Sequence, residues 1–126
     1  MSGSKEKVVV LGASDKPERY SNQAVQMLLE YGHEVIPVHP VLKSVENLPV
    51  TAELADISSE EKIDTLTMYV SSAISAKLVD DIVALKPGRV IFNPGTENSE
   101  LVERLEGNDI LVEEACTLVL LRTGQF

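Results

Sequence analysis

In VVVLGASDKPERYS, residues 8–21, four apolar residues run into a glycine and then into a polar loop with one proline and two cations. A glycine directly after a strand-like run lets the backbone turn tightly beneath a phosphate. A dinucleotide site asks for more, with glycines at all three places of G-x-G-x-x-G. Aligned on Gly12, this stretch puts Ser14 at the second place and Pro17 at the third, and eight residues separate Gly12 from Ser21. Neither residue permits the same close approach of pyrophosphate to backbone or of helix to strand. An NAD site also expects an acidic residue at the end of the second strand, where it holds the ribose. His39 stands there, followed by Pro40. Two independent requirements fail, so a nicotinamide cofactor is disfavoured.

The rest of the chain alternates short apolar runs with helical patterns. Lys7–Leu11 reads as a strand, and Ser21–Tyr31 as a helix with Ala24, Val25, Leu28 and Leu29 on one stripe. Ser21 is placed as its N-cap and Gly32 as its terminating glycine. Glu34–Val38 is the second strand, and a polar loop and a helical turn near Glu53–Ile57 follow. Ile63–Val70 is the third strand. Ser71 and Ser72 cap a helix carrying Ile74, Leu78, Val79, Ile82 and Val83 on one face, stopped by Pro87-Gly88. Val90–Phe92, a turn at Asn93-Pro94-Gly95, a helix over Asn98–Leu105 and a strand at Ile110–Val112 complete the series. The apolar tail Cys116–Leu121 fits either a closing helix or an edge segment.

Nearly continuous apolar strands alternating with helices predict a five-stranded parallel sheet covered on both faces. The expected fold is a Rossmann-like α/β three-layer sandwich with strand order 3-2-1-4-5. Ligands of such sheets sit beyond the carboxyl ends of the strands, where the order reverses. The loops at that edge are Gly12–Tyr20, His39–Lys43, Ser71–Ser72 and Asn93–Gly95.

The 126 residues predict one domain over 1–126, with residues 1–6 as a flexible lead. No apolar run is long enough to span a bilayer, MSGSKEK lacks a signal-peptide core, and the single cysteine fits a reducing cytoplasm. A net charge of −9 disfavours nucleic acid and anionic membrane as partners. A phosphate ligand must therefore be held locally. The start of the first helix supplies free N–H groups and half a positive charge, and Lys16, Arg19 and Ser21 stand beside it.

GASDKPERYSNQAVQMLLEYGHEVIPVHP, residues 12–40, resembles the GAS-x-x-P-x-R-x-S … L-x-x-x-G-x-x-V-x-P-V-N-P signature of small stand-alone CoA-binding-domain proteins. These are similar to the N-terminal domain of the succinyl-CoA synthetase α subunit. NPGTENSE and EEACTLVLLR extend the match over nearly the whole chain. The resemblance implies coenzyme A, or an acyl-CoA, as ligand. It implies that the diphosphate rests on Gly12, Ala13, Ser14, Lys16, Arg19 and Ser21. The adenosine end would lie near Val38, His39 and Pro40, with Lys43 for the 3′-phosphate, and the pantetheine arm would pass Val70, Ser71 and Ser72. His39 replaces the usual Asn, and Ser71-Ser72 stand where prolines are common.

Chemistry beyond binding has few candidates. The synthetase's phosphohistidine belongs to a separate domain, and the histidines here are His33, placed on the surface, and His39. Acidic and apolar neighbours favour a packed, unreactive Cys116. Glu113-Glu114 are adjacent and point apart, and no metal-ligand spacing occurs. The expectation is a CoA or acyl-CoA binding protein without a catalytic site of its own. The alternatives are an NAD(P)- or nucleotide-dependent Rossmann enzyme, and a regulatory subunit with a vestigial site. Whether it pairs with itself or with a partner enzyme is left open.

Overall fold

The computed structural model describes residues 5–126. β1 (Lys7–Leu11), α1 (Tyr20–Glu30) and β2 (Glu34–Val38) form the first β-α-β unit. A hairpin, β3 (Ser44–Val45) and β4 (Leu48–Pro49), leads to a 3-10 turn at Leu54–Asp56. β5 (Thr65–Met68), α2 (Ser72–Ser75), α3 (Val79–Leu85), β6 (Arg89–Phe92), α4 (Ser99–Glu106), β7 (Leu111–Glu114) and α5 (Thr117–Arg122) follow.

The main sheet is five-stranded and parallel, in the order β2-β1-β5-β6-β7. On the outer side of β2, its last residue, Val38, makes a single parallel bridge to Thr51. With that bridge counted in the outermost place, the expected 3-2-1-4-5 order holds and β7 extends it. The segment counted third from the sequence, Ile63–Val70, contributes β5 and lies beside β1. The chain after β2 folds into the hairpin and keeps only one bridge at the outer edge, so the long crossover lands on the other side of β1. The order therefore reverses between β1 and β5.

Alternation along the strands divides the core in two. Val9 and Leu11 join Leu66, Met68, Val90 and Phe92 beneath Ile82 of α3 and Leu101 and Leu105 of α4. Val8 and Val10 face the opposite way and pack with Val25 and Leu28 of α1, Val45 of the hairpin and Leu121 of α5. Val8, Val9 and Val10 are all fully buried, as expected of a central parallel strand covered on both sides.

Several boundaries differ from the sequence reading for local reasons. Arg19, in extended conformation, is the N-cap of α1, so Ser21 lies one residue inside the helix. The loop closes with an Arg19 N–H to Lys16 carbonyl turn, which brings the helix start forward. At the other end Gly32 has φ +87°, and the N–H groups of Gly32 and His33 return to Leu29 and Leu28 as a Schellman motif. The helix expected after Ser72 is two pieces, because i→i−3 bonds from Lys77 and Leu78 tighten the chain between α2 and α3. Ile74 consequently faces outward, while Ser71 caps as expected, its hydroxyl accepting from the Ile74 N–H. The tail resolves as the closing helix α5.

Of the lead expected to be flexible, residues 1–4 lie outside the described residues. Glu6 is anchored: its carboxylate accepts from the Thr65 hydroxyl at 2.6 Å and pairs with Arg89. Arg89 also binds Glu113 at 2.8 Å and lies over the Phe126 ring. None of the described helices is long and apolar enough to cross a membrane.

The register of α1 can be checked with neighbouring leucines. Leu28 is fully buried and Leu29 is 37% exposed. Leu28→Ala is expected to cost about 2–5 kcal/mol in urea unfolding, and Leu29→Ala well under half of that. Equal losses would place the helix in a different rotation.

Candidate functional site

Every strand of the main sheet points its carboxyl end at the same edge, and two clefts open there. The first, about 600 Å³, is lined by the β1–α1 loop, the residues after β2 and those after β5. It brings together ten of the thirteen residues expected at a site: Gly12, Ala13, Ser14, Lys16, Arg19, Ser21, His39, Pro40, Val70 and Ser71. Val38 is not in its lining but is buried behind it, its carbonyl accepting the N–H groups of Gly12 and Ala13 at 3.0 and 3.1 Å. Ser72 and Lys43 are exposed and do not line it. Lys43 begins the excursion into the hairpin, where its carbonyl accepts from the Val50 N–H.

Gly12 makes the turn possible. Its φ is +87°, and a Cβ built there would lie 2.8 Å from Val70 Cγ1 and 3.0 Å from the Tyr69 carbonyl oxygen. Both the backbone conformation and the close approach of β1's end to β5's end thus require glycine. Beyond it, the Ser14 hydroxyl accepts from the Lys16 N–H at 3.1 Å, forming a turn within the loop. The fully buried Asn22 secures the loop from behind, donating to the Ser14 carbonyl at 2.8 Å and to Glu46 of the hairpin turn at 3.2 Å. Asn22 was not singled out from the sequence, since a polar residue one turn into a helix gives no sign of where its side chain points.

The start of α1 faces this cleft with no side-chain cap and no acidic residue in its first turn. Its leading N–H groups and dipole are left for an anion. Lys16 and Arg19 are exposed beside it, and their side chains make no ion pair among the described residues. His39 has a settled role: its Nδ1 accepts the N–H groups of Val41 and Leu42 at 3.1 and 3.0 Å. That nitrogen is occupied as an acceptor, leaving Nε2 as the free nitrogen of the ring.

Asp15, Leu42, Tyr69 and Ile74 also line the cleft and were missed. Tyr69 and Ile74 read from the sequence as strand and helix core positions, which hid them. Tyr69 matters most, because it also lines the second cleft, about 420 Å³, together with Tyr20, Asn93, Pro94, Cys116, Leu118 and Arg122. Burial pushes the Tyr69 phenol up to about 12, opposed by the neighbouring Thr117 and Thr67 hydroxyls.

Those threonines belong to a buried network at the ends of β5 and β6. Asn93 donates to Thr67 Oγ1 at 2.7 Å and to the Met68 carbonyl at 2.8 Å, and its Oδ1 accepts from the Thr117 N–H at 2.9 Å. The Thr67 and Thr117 hydroxyls bond each other at 2.7 Å. Asn93 thereby ties two strands to the start of α5. Cys116, a free and half-buried thiol, is held in the second cleft by that attachment. Glu113 is engaged by Arg89 at the far edge, away from both clefts. No group of three or more His, Cys, Asp or Glu suited to a metal occurs among the described residues.

A parallel doubly wound sheet with a glycine turn and an uncapped helix start at its switch point defines a Rossmann-like ligand-binding protein. Residues 6–122 match the model of the CoA binding domain, and the chain belongs to that family. Among solved structures, it is similar to an uncharacterized protein at 39% identity and TM-score 0.91, covering 98% of this chain and 99% of that one. A Thermus thermophilus protein matches at 26% identity and TM-score 0.86, covering 97% and 91%. A dinucleotide-forming acetyl-coenzyme A synthetase from Ca. Korarchaeum cryptofilum, solved with phosphate and ADP, matches at 23% identity and TM-score 0.75. That match covers 90% of this chain and 26% of the synthetase, and at such identity the likeness is one of fold.

Two measurements test this geometry. Asn93→Ala leaves the Thr67 and Thr117 groups short of partners and is expected to cost about 1–3 kcal/mol or more on unfolding. A cost near zero would show that the network is not formed. Ultraviolet titration is expected to show a tyrosinate step near pH 12 that is absent in Tyr69→Phe. Because the folded value is raised above the ordinary 10, the unfolded chain releases this proton first, and stability falls as pH rises between 10 and 12. A wild-type titration in which all three tyrosines ionise together near pH 10 contradicts the burial.

Proposed function

We propose that this protein binds coenzyme A or an acyl-CoA across the carboxyl edge of its sheet, and that it acts as a binder without catalytic activity of its own. The observation that carries the reading is the first cleft: the Gly12 turn, the uncapped start of α1 and Lys16 and Arg19, without ion pairs among the described residues, meet in one lining. This is the donor set a diphosphate requires, gathered locally in a chain of net charge −9. Membership of the CoA binding domain family selects CoA among diphosphate ligands. Gly12, Ala13, Ser14, Lys16, Arg19 and Ser21 would hold the diphosphate. The adenosine end would lie against His39 and Pro40, with Lys43 reaching the 3′-phosphate from outside the cleft. The pantetheine arm would leave past Val70, Ser71 and Ser72. When bound, the coenzyme supplies a thiol or thioester; the protein's residues orient it.

A binder is favoured over a catalyst by what the polar groups are doing. The Nδ1 of His39 is occupied by two backbone N–H groups, and Glu113 is committed to Arg89. Neither is poised as a general base beside the first cleft.

A thermal-shift or calorimetric screen of CoA, acetyl-CoA, NAD, NADP and ATP tests the reading. A ligand at 100 times its Kd stabilises the fold by about 2.7 kcal/mol, and CoA and acetyl-CoA are expected to do so. A shift by NAD but not CoA overturns the assignment. Arg19→Ala is expected to weaken CoA by about tenfold or more while leaving the weak binding of phosphate-free pantetheine unchanged. Equal loss for both ligands means that Arg19 does not grip phosphate.

A further inference from the structure

The second cleft is not used by the diphosphate end of any ligand laid on the first. The carboxyl ends of the strands follow one another along the edge as His39 after β2, Gly12 after β1, Tyr69 after β5, Asn93 after β6 and Cys116 after β7. The first cleft takes the β2, β1 and β5 positions, and the second takes β5, β6 and β7, with Tyr69 lining both. From the end of β2 to the end of β7 is four strand spacings, about 19 Å. A ligand that enters at His39 and passes the switch point is thus delivered to the second cleft.

The lining there differs from that of the first. Tyr20, Tyr69, Pro94, Cys116 and Leu118 present rings, a thiol and an aliphatic side chain, and the one cation in the lining is Arg122. The chain has four arginines, at 19, 89, 104 and 122. Arg89 and Arg104 are ion-paired, with Glu6 and Glu113 and with Asp80. Arg19 and Arg122 make no ion pair or side-chain hydrogen bond among the described residues, and each lines one of the two clefts. In a chain with 20 acidic and 11 basic residues, two arginines left without carboxylate partners, one in each cleft lining, fit a ligand that carries anionic groups at two separate places.

We infer that the second cleft receives the acyl group of a CoA thioester, and that Arg122 selects acyl groups ending in a carboxylate. The inference rests on the CoA reading above. The thioester end lies between Tyr69 and Asn93-Pro94, the acyl chain runs along Leu118 and Cys116, and its terminal carboxylate meets the Arg122 guanidinium.

The test is calorimetry with CoA and with two pairs matched in chain length: malonyl- against propionyl-CoA, and glutaryl- against valeryl-CoA. In at least one pair the carboxylate-ended thioester is expected to bind about tenfold more tightly. Arg122→Gln should bring that pair within about twofold by weakening the carboxylate-ended member, with an unchanged melting temperature reporting an intact fold. Arg104→Gln, on the exposed pair with Asp80, should keep the wild-type preference. CoA bound but no preference in either pair, or a preference that survives Arg122→Gln, overturns the inference and leaves the CoA reading standing. No binding of CoA itself overturns both.

Discussion

The structure depends on how closely the ends of β1 and β5 approach at Gly12. A side chain there would collide with Val70 and the Tyr69 carbonyl, and the positive φ would strain any residue but glycine. From this contact the β1–α1 loop is thrown forward over the edge rather than upward along β5. The start of α1 then faces open space instead of the sheet, and Tyr69 is left at the boundary between two clefts.

Around that contact, burial is divided so that the site rests on rigid parts. β1 is sealed between two cores, with Val8 and Val10 on one side and Val9 and Leu11 on the other. Asn22 fastens the loop to the helix and to the hairpin, and Asn93 fastens α5 to β5 and β6. Both are buried amides with their donors and acceptors satisfied, and each fixes a segment of irregular backbone that has no ladder to hold it.

Much of this was legible in the sequence because strands buried on both faces leave nearly continuous apolar runs: VVVL and VIF are such runs, and TLTM is broken only by two threonines. The loop after β1 stood out because a glycine, a proline and two cations fall within fourteen residues, and the structure brings it to the carboxyl edge of the sheet. What stayed hidden lacks a local signature. The β3–β4 hairpin turns on Glu46 and Asn47, both at positive φ, where a glycine would have announced the turn. The break between α2 and α3 is invisible to periodicity, since Ile74, Leu78 and Ile82 keep helical spacing across it. Tyr69 continues the apolar pattern of β5, so its position between two clefts follows only from the neighbour on each side. The place of β5 beside β1 was likewise set by the hairpin after β2, a tertiary fact.

The two edges of the sheet treat charge in opposite ways. At the amino edge, Lys7 is paired with Glu34 and Glu61, and Arg89 with Glu6 and Glu113, in partly covered positions. At the carboxyl edge, Lys16, Arg19 and Arg122 stand exposed beside the clefts and make no ion pair among the described residues. Dissolved ions therefore act unequally on the molecule. At physiological ionic strength the screening length is about 8 Å, enough to weaken the attraction of an exposed cation for an approaching anion but to reach sheltered pairs much less. Raising ionic strength thus screens the cations of the carboxyl edge while leaving the scaffold nearly as firm as before.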